Sequence, residues 1–354
     1  MNRRVLGWAG ALVAMLFVSI AHQVNRPVLA ARGLPEPPAL LADTGLYVDG
    51  SLAIVRPGNR SFVPQYPLWS DGLSKQRWIY LPPGTTIDGS DEHDWKFPVG
   101  TKLWKQFSLK DRKVETRLLW KASADGWVTG SYLWNEAETE AVLAPAQGIP
   151  DVLEVAPGRR ISIPSRTDCT ACHGTKPPAP LGFNALQLSP DRDPNAIHGE
   201  RLGPDALTVA QLSRERLLAH ARPDLAQNPP RIRTANADTR AALGYLAANC
   251  GVCHDGKGEI AALGPTLRHR DLVEDGDAVA RSLINQPTRW QLPGIPDGHT
   301  VLVKPGAPDG SALLVRMRSR APSSQMPPLG TVVRDQHAVD LLTRWIASDP
   351  LNPR

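Results

Sequence analysis

Two short stretches decide how this sequence is organised: Cys169-Thr-Ala-Cys172-His173 and Cys250-Gly-Val-Cys253-His254. They contain all four cysteines of the 354-residue chain, so no cysteine is left for a structural disulfide. On a helical turn, residues i, i+3 and i+4 share one face. The two thiols and the imidazole of each pentad can therefore reach one flat ligand together.

Other interpretations of these cysteines fit less well. Four cysteines in an exported chain ordinarily indicate disulfides, but here histidine follows both pairs. A zinc site made of two Cys-x-x-Cys knuckles has about 15–20 residues between them, whereas Cys172 and Cys250 are much further apart. A thioredoxin-like pair needs a strand before it in an α/β context, which residues 164–168 do not offer. The pattern predicts two covalently attached haem c groups, with His173 and His254 as iron ligands.

The N-terminus predicts export. Arg3 and Arg4 precede an apolar run over residues 5–21, and a site of small residues ends at Ala30. This order is typical of a secretory signal peptide, here residues 1–30. An uncleaved membrane anchor is the alternative, because the run is near the shortest length that spans a bilayer. Since haem is attached to such pentads after export, the leader and the pentads together predict a periplasmic protein.

The composition excludes a nucleic-acid partner. The formal net charge is only +5, three of the basic residues lie in the leader, and no basic stripe is present. A protein that carries electrons would instead meet a redox partner protein, and we expect membrane contact only if the leader is retained.

Residues 31–160 predict a Trp-rich all-β domain, sandwich-like in form. Alternating runs bounded by turn residues predict strands at 76–81, 102–109 and 113–120. The tryptophans of this region are interpreted as its core. The alternative is an aromatic surface for a sugar, a quinone or the edge of a haem.

From residue 161 onward the patterns predict a mainly α haem-binding region. Residues 161–232 form the first haem-binding segment, which is small for an independent domain and should pack against its neighbours. Helices are predicted around 210–221, over 240–249 with Asp238 or Thr239 as N-cap, at 313–318 and over 335–348.

Two motifs carry a resemblance in residues 233–354. Gly264-Pro265-Thr266-Leu267 follows the second pentad at close range, and Gln325-Met326-Pro327-Pro328-Leu329-Gly330 lies further on. Both are similar to motifs of class I cytochrome c. The resemblance implies that the Pro265 carbonyl accepts a hydrogen bond from the His254 imidazole. It also implies that Met326 is the sixth ligand of the second haem, and Met317 is the competing candidate.

The mature chain resembles, over most of its length, a group of bacterial dihaem c-type cytochromes. The matching stretches are 66–72, 97–102, 115–119, 163–165 and 187–188. This resemblance implies an architecture, in which a Trp-rich region precedes two haem motifs, more than it implies an activity.

The sixth ligand of the first haem is not evident from the sequence. His198 is the first candidate, because it lies about 25 residues after the pentad and can fold back. His220 and His93 are the other candidates. For each of them, an ordinary polar surface histidine is the simpler interpretation.

These patterns predict a periplasmic dihaem cytochrome that transfers electrons. The rival is a haem enzyme such as a dihaem peroxidase, in which the first haem is open on its distal side. A third possibility is a sensor whose β domain recognises a ligand.

Overall fold

The computed structural model of the chain describes residues 33–173, 180–257, 261, 264–294 and 299–348. The predicted leader lies outside these residues. The strands are β1 (Arg60–Ser61), β2 (Ser74–Tyr80), β3 (Ile87–Asp88), β4 (Lys102–Leu109), β5 (Arg112–Ser123), β6 (Gly126–Trp134), β7 (Ala141–Leu143), β8 (Ile149–Ala156), β9 (Arg159–Ile163) and β10 (Leu218–Ala219). The α-helices are α1 (Arg166–His173), α2 (Val209–Arg214), α3 (Ala237–Asn249), α4 (His269–Leu283), α5 (Ala312–Arg318) and α6 (Gln336–Ala347).

Six strands form one antiparallel sheet in the order β1-β2-β4-β5-β6-β7. Strands β4, β5 and β6 follow one another along the chain and are joined by tight turns. The register of β2 with β4 sets Trp78 opposite Trp104. The three strands predicted from the alternating runs are confirmed, with small shifts at their ends.

One face of this sheet, called here the outer face, carries the tryptophan core. Trp78, Trp104 and Trp134 lie on it together because alternate residues of a strand point the same way. The segment before the sheet, which includes a 3-10 helix at Leu41–Thr44, packs over them. Trp104 is 2% exposed, and its indole N–H donates to Thr44 Oγ1 at 3.1 Å. The core interpretation is confirmed for these tryptophans.

The opposite face, called here the inner face, is divided into an apolar part and a charged part. Its apolar part, around Ile79 and Leu103, packs against Phe183 and Leu212 in a shared hydrophobic cluster. The segment predicted to bind the first haem therefore shares its core with the sheet. In the part of the chain that the structure describes, the remaining strands form only two-stranded sheets. The large sheet is thus not half of the sandwich that the sequence predicts.

Four helices, α3 to α6, surround the core of the C-terminal region. The apolar stripe of α6 places Leu342, Trp345 and Ile346 in this core. Trp345 is fully buried, and its indole N–H donates to Thr239 Oγ1 at 3.1 Å. Met317 is 5% exposed and packs in the same core, which accounts for it without a role at iron.

Two predicted helices differ in detail. The N-cap of α3 is Asn236 rather than Asp238 or Thr239, since its side chain accepts a hydrogen bond from the Thr239 backbone N–H at 2.9 Å. The helix predicted over 210–221 ends at Arg214 as α2. Arg216 has a left-handed φ of 55°, and the chain then pairs as β10 with β3.

Candidate haem sites

The first pentad lies on α1, which follows directly from the β8–β9 hairpin. Asp168 closes the first turn by accepting hydrogen bonds from Ser165, at 2.9 Å from the backbone N–H and 2.7 Å from the hydroxyl. Arg166 pairs with Glu36 of the N-terminal segment. No residue of α1 is buried, so contacts at its ends hold this helix more than a core does.

The second pentad continues the end of α3. The backbone N–H of His254 donates to the Cys250 carbonyl at 2.9 Å, which keeps the pentad in a helical turn. Gly251 lies where a side chain would not fit, because an added Cβ would be 2.5 Å from the Ala247 carbonyl oxygen. The helix before it is equally close-packed, since a Cβ on Gly244 would lie 2.1 Å from the Tyr66 ring.

The Gly264-Pro265 turn lies against the His254 imidazole. A Cβ at Gly264 would be 2.6 Å from ring atoms Nδ1 and Cε1, so only glycine allows this approach. The backbone N–H of Leu267 donates to the His254 carbonyl at 2.7 Å and fixes the turn. Nδ1 of His254 is buried and has no hydrogen-bond partner within the described ranges. The hydrogen bond predicted between this atom and the Pro265 carbonyl is therefore not formed in this structure, although the turn is beside the ring.

The fold brings the two pentads together from distant parts of the chain. Burial, and then the neighbouring Cys253 thiol, raise the pKa of Cys172. Burial raises the pKa of Cys250 to about 12, with Cys253 adding to the effect. All four thiols are free of disulfides and partly accessible. Four free thiols from two pentads therefore occupy one region of the molecule.

The charged part of the inner face borders the first pentad. Burial raises the pKa of Cys169, whereas the next influence, the nearby Arg117 guanidinium, lowers it. The Cys169 thiol and Thr129 on β6 line one small cavity. Burial raises the pKa of Cys172 too, and Arg117 and Lys105 act in the opposite direction. The sheet thus presents cations to the thiols that would hold the first haem.

The loop that contains Met326 is held from two sides. The backbone N–H of Met326 donates to the Arg316 carbonyl at 3.1 Å, at the end of α5. Burial lowers the pKa of His254, and the charge of Arg316 lowers it further, so His254 and Met326 share Arg316 as a neighbour. The two ligands predicted for the second haem therefore have the same neighbouring residue, Arg316.

Residues of the sheet region hold the far end of this loop. One carboxylate oxygen of Asp71 accepts hydrogen bonds from the backbone N–H groups of Val332 and Val333, at 2.8 and 2.7 Å. The Trp69 indole N–H donates to the Val333 carbonyl at 3.0 Å, and its backbone N–H donates to the Asn249 side chain at 2.7 Å. Since Asn249 directly precedes Cys250, this segment touches both sides of the second site.

His198 is held by Asp335 and Trp69 in this structure. Its Nε2 lies 2.9 Å from both carboxylate oxygens of Asp335, and its ring stacks on Trp69 at 5.0 Å. Burial raises the pKa of Tyr245, and the charges of Asp335 and Cys250 raise it further. Asp335 thus lies near the second pentad. One of the two ring nitrogens of His198 is bonded to Asp335, and its role at the first haem stays a prediction.

The other two histidine candidates have ordinary surroundings. His220 is 75% exposed and lies 3.4 Å from Asp88, as a surface histidine would. His93 is mostly buried beside Glu92, and burial lowers its pKa.

The residues present fit covalently bound haem. Each pentad offers two thiols and an imidazole from one helical turn, which is the donor set that a haem c requires. Because a porphyrin supplies most of the iron ligands, few protein ligands are needed. Across the described ranges, no group of three or more His, Cys, Asp or Glu side chains is arranged to hold a bare metal ion.

Several residues that shape these sites were not predicted from the sequence. They are Trp69, Asp71, Lys105, Arg117 and Asp335. The signal for two of them was present, since strand alternation places Lys105 on the face of Leu103 and Arg117 on the face of Leu119. For Trp69 and Asp71, the sequence offers only the resemblance of the stretch at 66–72.

Comparison with known proteins adds no relative: no family description, curated protein or solved structure matches the chain. In the residues described, no helix has the length and apolar character required to cross a bilayer.

Proposed function

We propose that this chain is an exported c-type cytochrome that binds two haems covalently and transfers electrons. The observation that carries the proposal is that each pentad forms a helical turn with an imidazole and two thiols free of disulfides. The charge of Cys253 acts on the Cys172 thiol, so two haems attached there would be neighbours. Neighbouring haems suit passage of an electron from one to the other.

In this proposal, each residue has a defined task. The cysteine pairs would hold the haems through thioether bonds, and His173 and His254 would be iron ligands. Met326 would be the second protein ligand of the second haem, and the contacts of Asp71 and Trp69 keep its loop in place. The haems would supply one-electron redox chemistry, while the chain would orient them and limit access of water.

Different axial ligands would give the two haems different potentials. A His/Met haem has a higher potential than a haem with two nitrogen ligands. An electron would then pass towards the second haem, and from there to a redox partner protein in the periplasm. The partner is proposed by chemistry alone, as a protein that donates or accepts single electrons.

The direct test is expression of the full chain, with its leader, in a bacterium that matures c-type cytochromes. We expect a mass increase of two haems that resists acid–acetone extraction. Replacing Cys250 and Cys253 by alanine should remove one haem, and replacing Cys169 and Cys172 should remove the other. A chain without residues 1–30 is the matched control and should carry none. Purified periplasmic protein without covalent haem would overturn the proposal.

A second candidate function is that of a haem enzyme of the peroxidase type. The bond between His198 and Asp335 favours it, because it engages the first candidate for the distal ligand of the first haem. The half-reduced and fully reduced holoprotein should be titrated with carbon monoxide and then with peroxide. If neither changes the spectrum, both irons have six ligands and the electron carrier stands. Rapid binding at one haem would favour the enzyme.

A further inference from the structure

A row of cations crosses the charged part of the inner face. Arg77 on β2 is paired in register with Lys105 on β4, and Lys105 is paired with Arg117 on β5. Directly opposed positions in a sheet bring side chains within about 5 Å, and like charges there are destabilising. Lys75 lies two residues before Arg77 on β2, so the two side chains are on the same face. Four cations thus share a small area of one sheet.

The carboxylates nearby compensate only part of this charge. Glu115 makes a two-bond pair with Arg117, at 2.7 and 2.9 Å, and Glu200 pairs with Arg77 at 3.0 Å. In the described ranges neither lysine makes an ion pair with a carboxylate, and Lys75 donates to the Leu68 carbonyl instead. Burial and then the neighbouring cations Arg77, Lys75 and Arg117 lower the pKa of Lys105 strongly.

This row lies beside the first pentad. The pairing of β5 with β6 sets Arg117 opposite Ser131, and Ser131, Thr129 and Cys169 line one small cavity. The Arg117 side chain is 39% accessible to solvent. Arg117 acts on both Cys169 and Cys172, and Lys105 acts on Cys172. The row of cations therefore starts beside these thiols and continues across β4 to β2.

We propose that Lys105, flanked by Arg77 and Arg117, binds a carboxylate side chain of the haem held by the first pentad. This inference rests on the proposed function. Each haem carries two propionate groups, and these would meet a row of cations spaced about 4.8 Å apart, the distance between neighbouring strands. A carboxylate at Lys105 supplies the negative charge that the row lacks. The sheet thereby sets the orientation and the potential of the first haem.

The test compares three variants of the holoprotein by redox titration. Lys105→Gln removes the charge, and Lys105→Arg keeps it. Lys121→Gln removes a cation at the far end of β5, where the charge that acts on the pKa of Lys121 is that of Asp125. We expect Lys105→Gln to lower one midpoint potential, since loss of a nearby cation disfavours the reduced haem. The expected size is about a tenfold change in the oxidised-to-reduced ratio, or about 59 mV for one electron. Lys105→Arg and Lys121→Gln should leave both potentials in place.

A pH profile separates a bound carboxylate from a charge that is merely close. A carboxylate that loses its cation takes up a proton at a higher pH. In Lys105→Gln, the shifted potential should therefore become pH-dependent between about pH 5 and 8, whereas the wild-type potential is flat there.

Each outcome decides the inference. Unchanged potentials and profiles in Lys105→Gln, with two haems present, would overturn it and leave the proposed function intact. Loss of the first haem in Lys105→Gln but not in Lys105→Arg supports it. If both lysine variants lose the sheet signal in circular dichroism, the role of Lys105 is structural and the inference is wrong. Wild-type protein without haem would instead remove the proposed function.

Discussion

The second pentad follows a 13-residue helix that lies in a closed core, whereas the first forms an eight-residue helix without a buried residue. The same five-residue pattern is thus supported in two ways. At the second site, packing of α3 against α6 sets the position of the pentad. At the first site, the β8–β9 hairpin leads directly into the pentad, and the cations of the sheet lie beside it. Covalent attachment of a haem would need only a helical turn that carries the five residues. The surroundings of the two pentads can therefore differ.

The largest expected difference is in the free energy of unfolding, between a substitution in the core behind the second pentad and one on α1. Trp345→Ala removes a fully buried side chain from the core behind the second pentad, and should lower the free energy of unfolding by about 3–5 kcal/mol. Thr167→Ala, on the exposed surface of α1, should change it by less than about 0.5 kcal/mol. Urea unfolding of the holoprotein measures both. Equal losses would show that the first pentad has a core of its own.

Asp71→Ala tests how the sheet region supports the Met326 loop. The change leaves the backbone N–H groups of Val332 and Val333 without their acceptor, which costs about 1–3 kcal/mol. We expect the reduced second haem to bind carbon monoxide more readily than in the wild type, because its distal ligand is held less firmly. Asp125→Ala, in the exposed β5–β6 turn, is the control. Identical carbon monoxide binding in all three proteins would contradict this role.

His269 joins the C-terminal region to the segment of residues 161–232. We expect this contact to make the stability of the fold depend on pH. Its Nδ1 lies 2.7 Å from the Asn184 side chain, and burial, with His93 nearby, lowers its pKa to about 4. In the unfolded chain, its pKa is about 6.5. The folded state therefore has its full stability above about pH 6.5 and loses it as the pH falls towards 4, by on the order of 2 kcal/mol.

The pH dependence of unfolding in His269→Gln measures this contribution. The curve should be flatter than that of the wild type between pH 6.5 and 4. His220→Gln, which changes an exposed histidine, should keep the wild-type slope. A slope in His269→Gln equal to that of wild type would assign the acid sensitivity to other groups.

The smallest expected effect concerns the ion pair at the start of α1. Glu36 is 71% exposed, and exposed pairs contribute at most about 1 kcal/mol. Glu36→Gln should therefore leave unfolding and haem content almost unchanged, as mass spectrometry and urea titration can show. A clear loss of haem from the first pentad alone would mean that this surface contact positions α1.

Local patterns predict much of the fold, and long-range contacts account for what they miss. Strands such as 102–109 and the helix at 313–318 follow from periodicity, which is a property of neighbouring residues. The same alternation shows that Glu115 and Arg117 share a face, but not which distant segment lies beside it. Distance along the chain makes His198 a candidate ligand of the first haem, whereas its contact with Asp335 joins distant segments and has no signal in the sequence.

Tyr66 limits how far the C-terminal region can be transferred to another protein. Its ring, 4% exposed, is part of the core of that region and fills the space over Gly244. A fragment of residues 233–354 would contain the second pentad and Met326, but one side of α3 would be bare. Residues 233–354, which the sequence motifs delimit, are thus fewer than the residues needed for a stable fold. A graft into a new host would have to include residues 66–71 as well.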